Sequence, residues 1–96
     1  MRGDNNRPLK EWLQVFVQSP QLRDRLYQKR IEKMWEELMG HVIHQYTRKI
    51  KLDERVLTIY VESASLKNEL SIMKEQIIQR MNEKLGEDFI REVRVF

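Results

Sequence analysis

The sequence predicts an α+β domain in which a three-stranded mixed sheet carries helices packed on one face, in the order ααββαβ. Three observations lead there. Between Val56 and Leu70 the apolar period switches from two to about 3.6, so a strand feeds directly into a helix. Near the start of the chain, Leu9, Trp12, Leu13, Phe16 and Val17 recur at i, i+3, i+4, i+7 and i+8, the stripe of an amphipathic helix. After Gly86, the run from Phe89 to Phe96 is rich in β-formers.

Residues 1–7 are polar and are expected to fray, leaving 8–96 as a single domain. The first helix carries Pro8 in its opening turn. Ser19 then caps a second helix with Pro20 at its first position. That helix buries Leu22, Tyr27, Ile31, Met34, Trp35 and Leu38 and stops at Gly40. A change of face between Leu26 and Ile31 predicts a bend or break near Gln28. His41 to Gln45 forms a connector with room for a single helical turn.

From Thr47 to Leu52 the chain alternates, with Thr47, Lys49 and Lys51 on one face and Arg48, Ile50 and Leu52 on the other. Asp53-Glu54-Arg55 turns it into an antiparallel partner strand, Val56 to Glu62. There Leu57, Ile59 and Val61 oppose Val56, Thr58, Tyr60 and Glu62. Ser63 caps one long helix that buries Leu66, Leu70, Met73, Ile77, Met81 and Leu85, and Gly86 closes it. A helix between the second and third strands makes their connection a crossover, so those two strands run parallel and wind right-handed.

Ninety-six residues suffice for one modest core. With 41% hydrophobic residues, three Gly and two Pro, the chain is neither disordered nor of low complexity. No apolar run approaches the roughly 18 residues of a membrane span, and MRGDNNRPLKEW has no apolar core for a secretory signal. The absence of Cys excludes a disulfide framework and a thiolate metal site. The expectation is a soluble, cytoplasmic protein.

The net charge of +3 is unevenly spread. Residues 1–55 carry twelve Lys and Arg against eight Asp and Glu, whereas 56–96 carry six against seven. Two basic clusters stand out, one of Arg23, Arg25, Lys29, Arg30 and Lys33 and one of Arg48, Lys49, Lys51 and Arg55. Each admits two readings, a solvated surface balanced by neighbouring acids or an electrostatic footprint for nucleic acid. The second cluster is less diluted by carboxylates.

Catalytic chemistry finds no foothold. His41 and His44 lie at i, i+3, with no Cys and no placed carboxylate to complete a metal site. Ser63 and Ser65 lack the flanking glycines of a nucleophile elbow. Glu36-Glu37, Asp53-Glu54 and Glu87-Asp88 fall where helix faces, turns and loops ordinarily put charge. Gly3, Gly40 and Gly86 build neither a P-loop nor a dinucleotide fingerprint. No catalytic residue, metal or cofactor is expected. Trp12, Phe16 and Trp35 lie within apolar stripes and read as core. Tyr60 shares its strand face with Thr58 and Glu62, so it reads either as an edge-of-core tyrosine or as a platform for single-stranded bases.

Several of these pieces together resemble the DciA family, bacterial proteins implicated in operating the replicative helicase and long filed as a domain of unknown function. The resemblance runs through Trp35, Glu37-Leu38-Met39-Gly40 and Ile43, then Tyr46-Thr47, then Leu57-Thr58-Ile59-Tyr60-Val61. It continues through Ser63-Ala64-Ser65-Leu66-Lys67-Asn68-Glu69-Leu70-Ser71, Met73-Lys74 and Met81-Asn82-Glu83-Lys84-Leu85-Gly86 into the last strand. It covers about residues 26–96, in order.

The resemblance implies a KH-like domain, binding to single-stranded or junction DNA, and contact with the hexameric DnaB-type helicase. The GxxG clamp of a true KH domain is missing, so that clamp is not carried over. The leading expectation is a non-enzymatic DNA-binding accessory module of the helicase. Arg48, Lys49, Lys51 and Arg55 would contact phosphates, Lys67 and Lys74 would add contacts from the third helix, and Tyr60 would stack a base. Arg23, Arg30 and Lys33 would face the helicase. The alternatives are a protein-interaction domain docking on the helicase without useful DNA affinity, and a KH-like RNA-binding module.

Overall fold

A computed structural model describes Glu11 and residues 18–96. The expected first helix therefore lies almost wholly outside the described residues, as does the N-terminal stretch expected to fray. The described elements are α1 (Pro20–Met39), α2 (His41–Tyr46), β1 (Thr47–Asp53), β2 (Val56–Val61), α3 (Ala64–Ile72), α4 (Lys74–Leu85) and β3 (Glu92–Val95). The sheet order is β1-β2-β3, with β1 antiparallel to β2 and β2 parallel to β3. The architecture is α+β with a three-stranded mixed sheet, as the hydrophobic periods require.

Helix α1 starts where Ser19 and Pro20 place it, the Ser19 hydroxyl accepting from the Leu22 N–H at 3.4 Å. It runs unbroken past Gln28, so the expected interruption is not a break in the helix. Its inward stripe continues through polar residues. Asp24 Oδ2 accepts from the Glu54 N–H at 3.1 Å, and Gln28 Oε1 accepts from the Leu52 N–H at 2.9 Å. Two side chains that look misplaced on an apolar face thus satisfy backbone donors of the hairpin. Leu22, Met34 and Leu38 are half-buried rather than buried.

Trp35 is 1% exposed, and its indole N–H donates to Thr47 Oγ1 at 3.0 Å. The same hydroxyl donates onward to the Ile43 carbonyl at 2.6 Å, which ties α1, α2 and the start of β1 together. The connector expected at His41–Gln45 is α2, entered through Gly40 at φ +94°.

The helix expected over 64–85 is two helices, broken at Met73, whose N–H turns back to the Leu70 carbonyl at 3.0 Å. The break lets each half meet a different surface. Helix α3 buries Leu66 and Leu70 against β2 and β3, while α4 buries Ile77, Met81 and Leu85 against β3 and α1. Helices α1 and α4 cross antiparallel and exchange C-terminal contacts. Arg30 donates to the Lys84 carbonyl at 2.8 Å and Arg80 to the Leu38 carbonyl at 3.3 Å, both on last-turn carbonyls that lack helical partners.

The third strand is shorter than Phe89–Phe96. Phe89 and Ile90 instead plug the core at 2% and 1% exposure. Asn82 holds that plug, accepting from the Phe89 and Ile90 N–H groups at 3.2 and 2.8 Å and donating to the Ile90 carbonyl at 3.0 Å. The core lies between the helices and one sheet face, around Ile31, Trp35, Leu57, Ile59, Leu70, Ile77, Met81 and Val93. The other sheet face carries no helix among the described residues.

Candidate nucleic-acid interface

Strand parity decides which charged side chains reach the open face. Ile50, Leu52, Leu57, Ile59, Val61 and Val93 point into the core, so Lys49, Lys51, Asp53, Val56, Thr58, Tyr60, Glu92 and Arg94 point out. The register pairs Lys49 with Tyr60, Lys51 with Thr58, and Thr58 with Arg94. Phe96 joins them because its backbone continues the ladder past β3: its N–H donates to the Ile59 carbonyl at 2.9 Å and its carbonyl accepts from the Val61 N–H at 3.0 Å. The Tyr60 and Phe96 rings are stacked, with centroids 5.8 Å apart and planes 24° from parallel. Lys49 Nζ stands 5.9 Å from the Tyr60 centroid. Lys51, Asp53, Glu54, Val56, Thr58, Tyr60 and Arg94 line a shallow depression on this face.

Of the residues expected to contact DNA, the fold brings Lys49, Lys51 and Tyr60 together and separates the rest. Arg48 falls at an irregularity in the β1–β2 register and its Nε lies 3.4 Å from Glu62 Oε1. Arg55 sits in the hairpin turn at φ +67°, and its guanidinium lies 5.0 Å from the Phe89 centroid, toward the helical layer. Lys67 is exposed on α3, and Lys74 opens α4 close enough to Glu92 to help hold that carboxyl below its usual range.

Of the residues expected to face the helicase, Arg23 donates to Glu87 and lies 4.9 Å from the Phe89 centroid. Arg30 holds the Lys84 carbonyl and lies 5.7 Å from the Tyr27 centroid. Lys33 is exposed on α1.

Two residues of the open face were missed, Arg94 and Phe96. Both follow from extending the parity of Val93, which the β-rich ending of the chain already offered. Arg94 is not a bare cation. Its Nε donates to Glu92 Oε2 at 2.8 Å, and this hydrogen bond holds the Glu92 carboxyl below, and the Arg94 guanidinium above, their usual ranges.

Elsewhere, Glu87 anchors the other end of the fold, accepting from the Tyr27 hydroxyl and from Arg23. The Tyr27 bond foremost, with Arg23 adding to it against an opposing effect of burial, holds the Glu87 carboxyl below its usual range. Burial, and then the Glu87 carboxylate, raises the Tyr27 hydroxyl, and the same carboxylate raises Arg23. His41 Nδ1 lies 2.8 Å from Glu36 Oε2 and His44 Nε2 lies 3.9 Å from Glu36 Oε1. The His41 bond draws the Glu36 carboxyl below its usual range. Among the described residues no cluster of three or more His, Cys, Asp or Glu is placed to hold a metal ion, and no helix is long and apolar enough to cross a membrane.

Comparison with known proteins places the motifs in a family. A "UPF0232 protein" of Corynebacterium glutamicum (strain R) is 39% identical over 62 residues, covering 65% of this chain and 35% of the relative. A "UPF0232 protein" of Mycobacterium bovis is 28% identical over 61 residues, covering 64% of this chain and 33% of the relative. Its counterpart in Mycobacterium tuberculosis (strain ATCC 25618 / H37Rv) matches to the same extent. The chain thus spans about a third of the length of these relatives. The family described as "Dna[CI] antecedent, DciA" matches residues 8–95, from the first predicted helix to the end of β3, and the chain belongs to it.

Proposed function

We propose that this chain is a non-enzymatic, DNA-binding accessory module that contacts a DnaB-type bacterial replicative helicase and assists its loading or operation. Membership of the DciA family supports the helicase part of this reading. The observation that carries the DNA part is the open sheet face, where Lys49, Lys51 and Arg94 surround the stacked rings of Tyr60 and Phe96. Lysine ammonium groups on a face that carries no helix among the described residues make phosphate contacts that are salt-sensitive and indifferent to sequence. Such binding suits an accessory that must act wherever the helicase is.

Lys49 and Lys51 are the principal phosphate contacts, with Lys67 and Lys74 as further cations of the helical layer and Arg48 and Arg55 at the hairpin's margins. Lys33 offers a solvent-facing charge for the helicase, while Arg23 and Arg30 support the helices behind it. The 8–96 segment works as one domain.

The test is anisotropy of a labelled single-stranded oligonucleotide titrated across salt. Three or four phosphate contacts give a log–log slope of roughly −2 to −3. Reversing Lys49 and Lys51 to Glu removes two of them, so the slope becomes shallower by about 1.4 and affinity falls at least about tenfold at low salt. Both side chains are exposed, so the melting temperature stays put. Undiminished affinity of the reversed protein would remove the site from the open face, and no binding by the wild type at low salt would leave a helicase-docking domain.

A further inference from the structure

The open face is graded along its strands. Read across the sheet, its outward side chains form three rungs: Lys49, Tyr60 and Phe96; then Lys51, Thr58 and Arg94; then Asp53, Val56 and Glu92. The first is aromatic and basic, the second polar and basic, the third acidic. An anionic strand is therefore favoured on two rungs and repelled from the third.

Within the first rung the three side chains are not equivalent. Tyr60 stands on the central strand, so its ring is bracketed from both sides by its own chain. Lys49 approaches from β1, with Nζ 5.9 Å from the centroid, and Phe96 stacks from the β3 side at 5.8 Å. Phe96 continues an edge strand, and more than half of its surface (54%) is exposed. A large aromatic at that exposure, braced by a second ring, is a stacking surface held open to a planar partner.

We propose that the base-stacking residue of this face is Phe96, with Tyr60 as the brace that fixes the Phe96 ring and Lys49, Lys51 and Arg94 as the phosphate contacts beside it. The ligand is single-stranded nucleic acid, whose unpaired bases expose their faces, because a duplex keeps those faces stacked inside. The Asp53 and Glu92 rung bounds the site. This assignment rests on the DNA-binding reading above and replaces Tyr60 as the residue that touches the base.

The experiment compares an oligo-dT with an abasic oligonucleotide of equal length and charge, using the full chain. Phosphate contacts are common to both probes, so their affinity ratio isolates stacking. The wild type is expected to prefer oligo-dT by about fivefold, the lower end of what one stacked base contributes. Phe96→Leu keeps apolar bulk but removes the ring, and brings that ratio close to one with the salt slope unchanged. Phe96→Trp enlarges the ring and raises the ratio.

If Phe96→Leu keeps the wild-type ratio, Tyr60 or another residue stacks the base and the assignment is overturned. Equal binding of both probes by the wild type also overturns it and leaves a phosphate-only site. Absence of wild-type binding to either probe refutes the DNA reading itself. Circular dichroism and melting temperature of the exposed-site variants confirm that the fold is intact.

Discussion

Replacing Asn82 with Ala tests how the chain carries itself from α4 into β3. The Asn82 side chain makes two bonds inward to backbone N–H groups, at 3.2 Å to Phe89 and 2.8 Å to Ile90, and one from Nδ2 to the Ile90 carbonyl at 3.0 Å. A fourth, to Asp88 Oδ1 at 3.1 Å, lies at the surface. Alanine leaves the Ile90 N–H and carbonyl unpartnered, while the Phe89 N–H keeps the Glu87 carbonyl at 2.9 Å, and Ile90 is only 1% exposed. An orphaned buried group costs about 1–3 kcal/mol, and water entering from the Asp88 side relieves part of that, so the expected loss is about 2–4 kcal/mol. That is a large share of the roughly 5–15 kcal/mol available to a domain.

The assay is urea unfolding followed by far-UV circular dichroism. With m of roughly 1–3 kcal/mol/M, a loss near 3 kcal/mol lowers the midpoint by about 1–3 M at unchanged m. Asn82→Asp keeps both acceptances, loses both donations and sets a carboxylate against Asp88, so its midpoint falls between the two. A midpoint for Asn82→Ala within about 0.3 M of wild type would show that the loop holds itself without this side chain, and the reasoning would be wrong.

Two further outcomes follow from the same physical accounting. The folded Glu87 carboxyl titrates below its usual 4.5, so its stabilisation is fully present above that pH and is lost as pH falls through the folded value. Glu87→Gln should therefore cost about 1 kcal/mol at neutral pH, discounted because the side chain is 36% exposed, and progressively less in acid; a pH-independent cost in urea melts would sink this linkage. In the hairpin turn, Glu54 and Arg55 both hold positive φ, +50° and +67°, which is strained for side chains of this kind. Glu54→Asn should raise the melting temperature by relieving about 0.5–1 kcal/mol, while Arg55→Gly gains less because it also removes the guanidinium from the Phe89 ring; the reverse order in thermal melts would contradict the turn assignment.

Much of this architecture was legible because alternation and helical period are local signals. Leu57, Ile59 and Val61 announced the central strand, and Ser19 and Ser63 announced helix starts that both make the expected cap. The failures share one cause. A break at Met73 and an unbroken helix through Gln28 depend on what lies opposite, and single-sequence periodicity carries no such information. The change of face between Leu26 and Ile31 suggests a break because the partners of the inward polar side chains Asp24 and Gln28, the Glu54 and Leu52 N–H groups, lie 30 and 24 residues away. Phe89 and Ile90 looked like strand for the same reason. They are β-formers, and the bonds that take them out of the strand come from Asn82.

The candidate site was legible only in half, because a basic cluster in sequence is not a basic surface in space. Arg48, Lys49, Lys51 and Arg55 sit within eight residues, yet strand parity sends only the two lysines to the open face. Three arginines of the helices act as planar donors, Arg30 and Arg80 to helix-end carbonyls and Arg23 to Glu87, while Arg55 of the hairpin turn lies against an aromatic ring. Lys49 and Lys51, compact and well hydrated, form no ion pair among the described residues. This division fits the proposed role. The proposed phosphate contacts are mobile point charges, and the rigid bidentate forks hold the layer behind them.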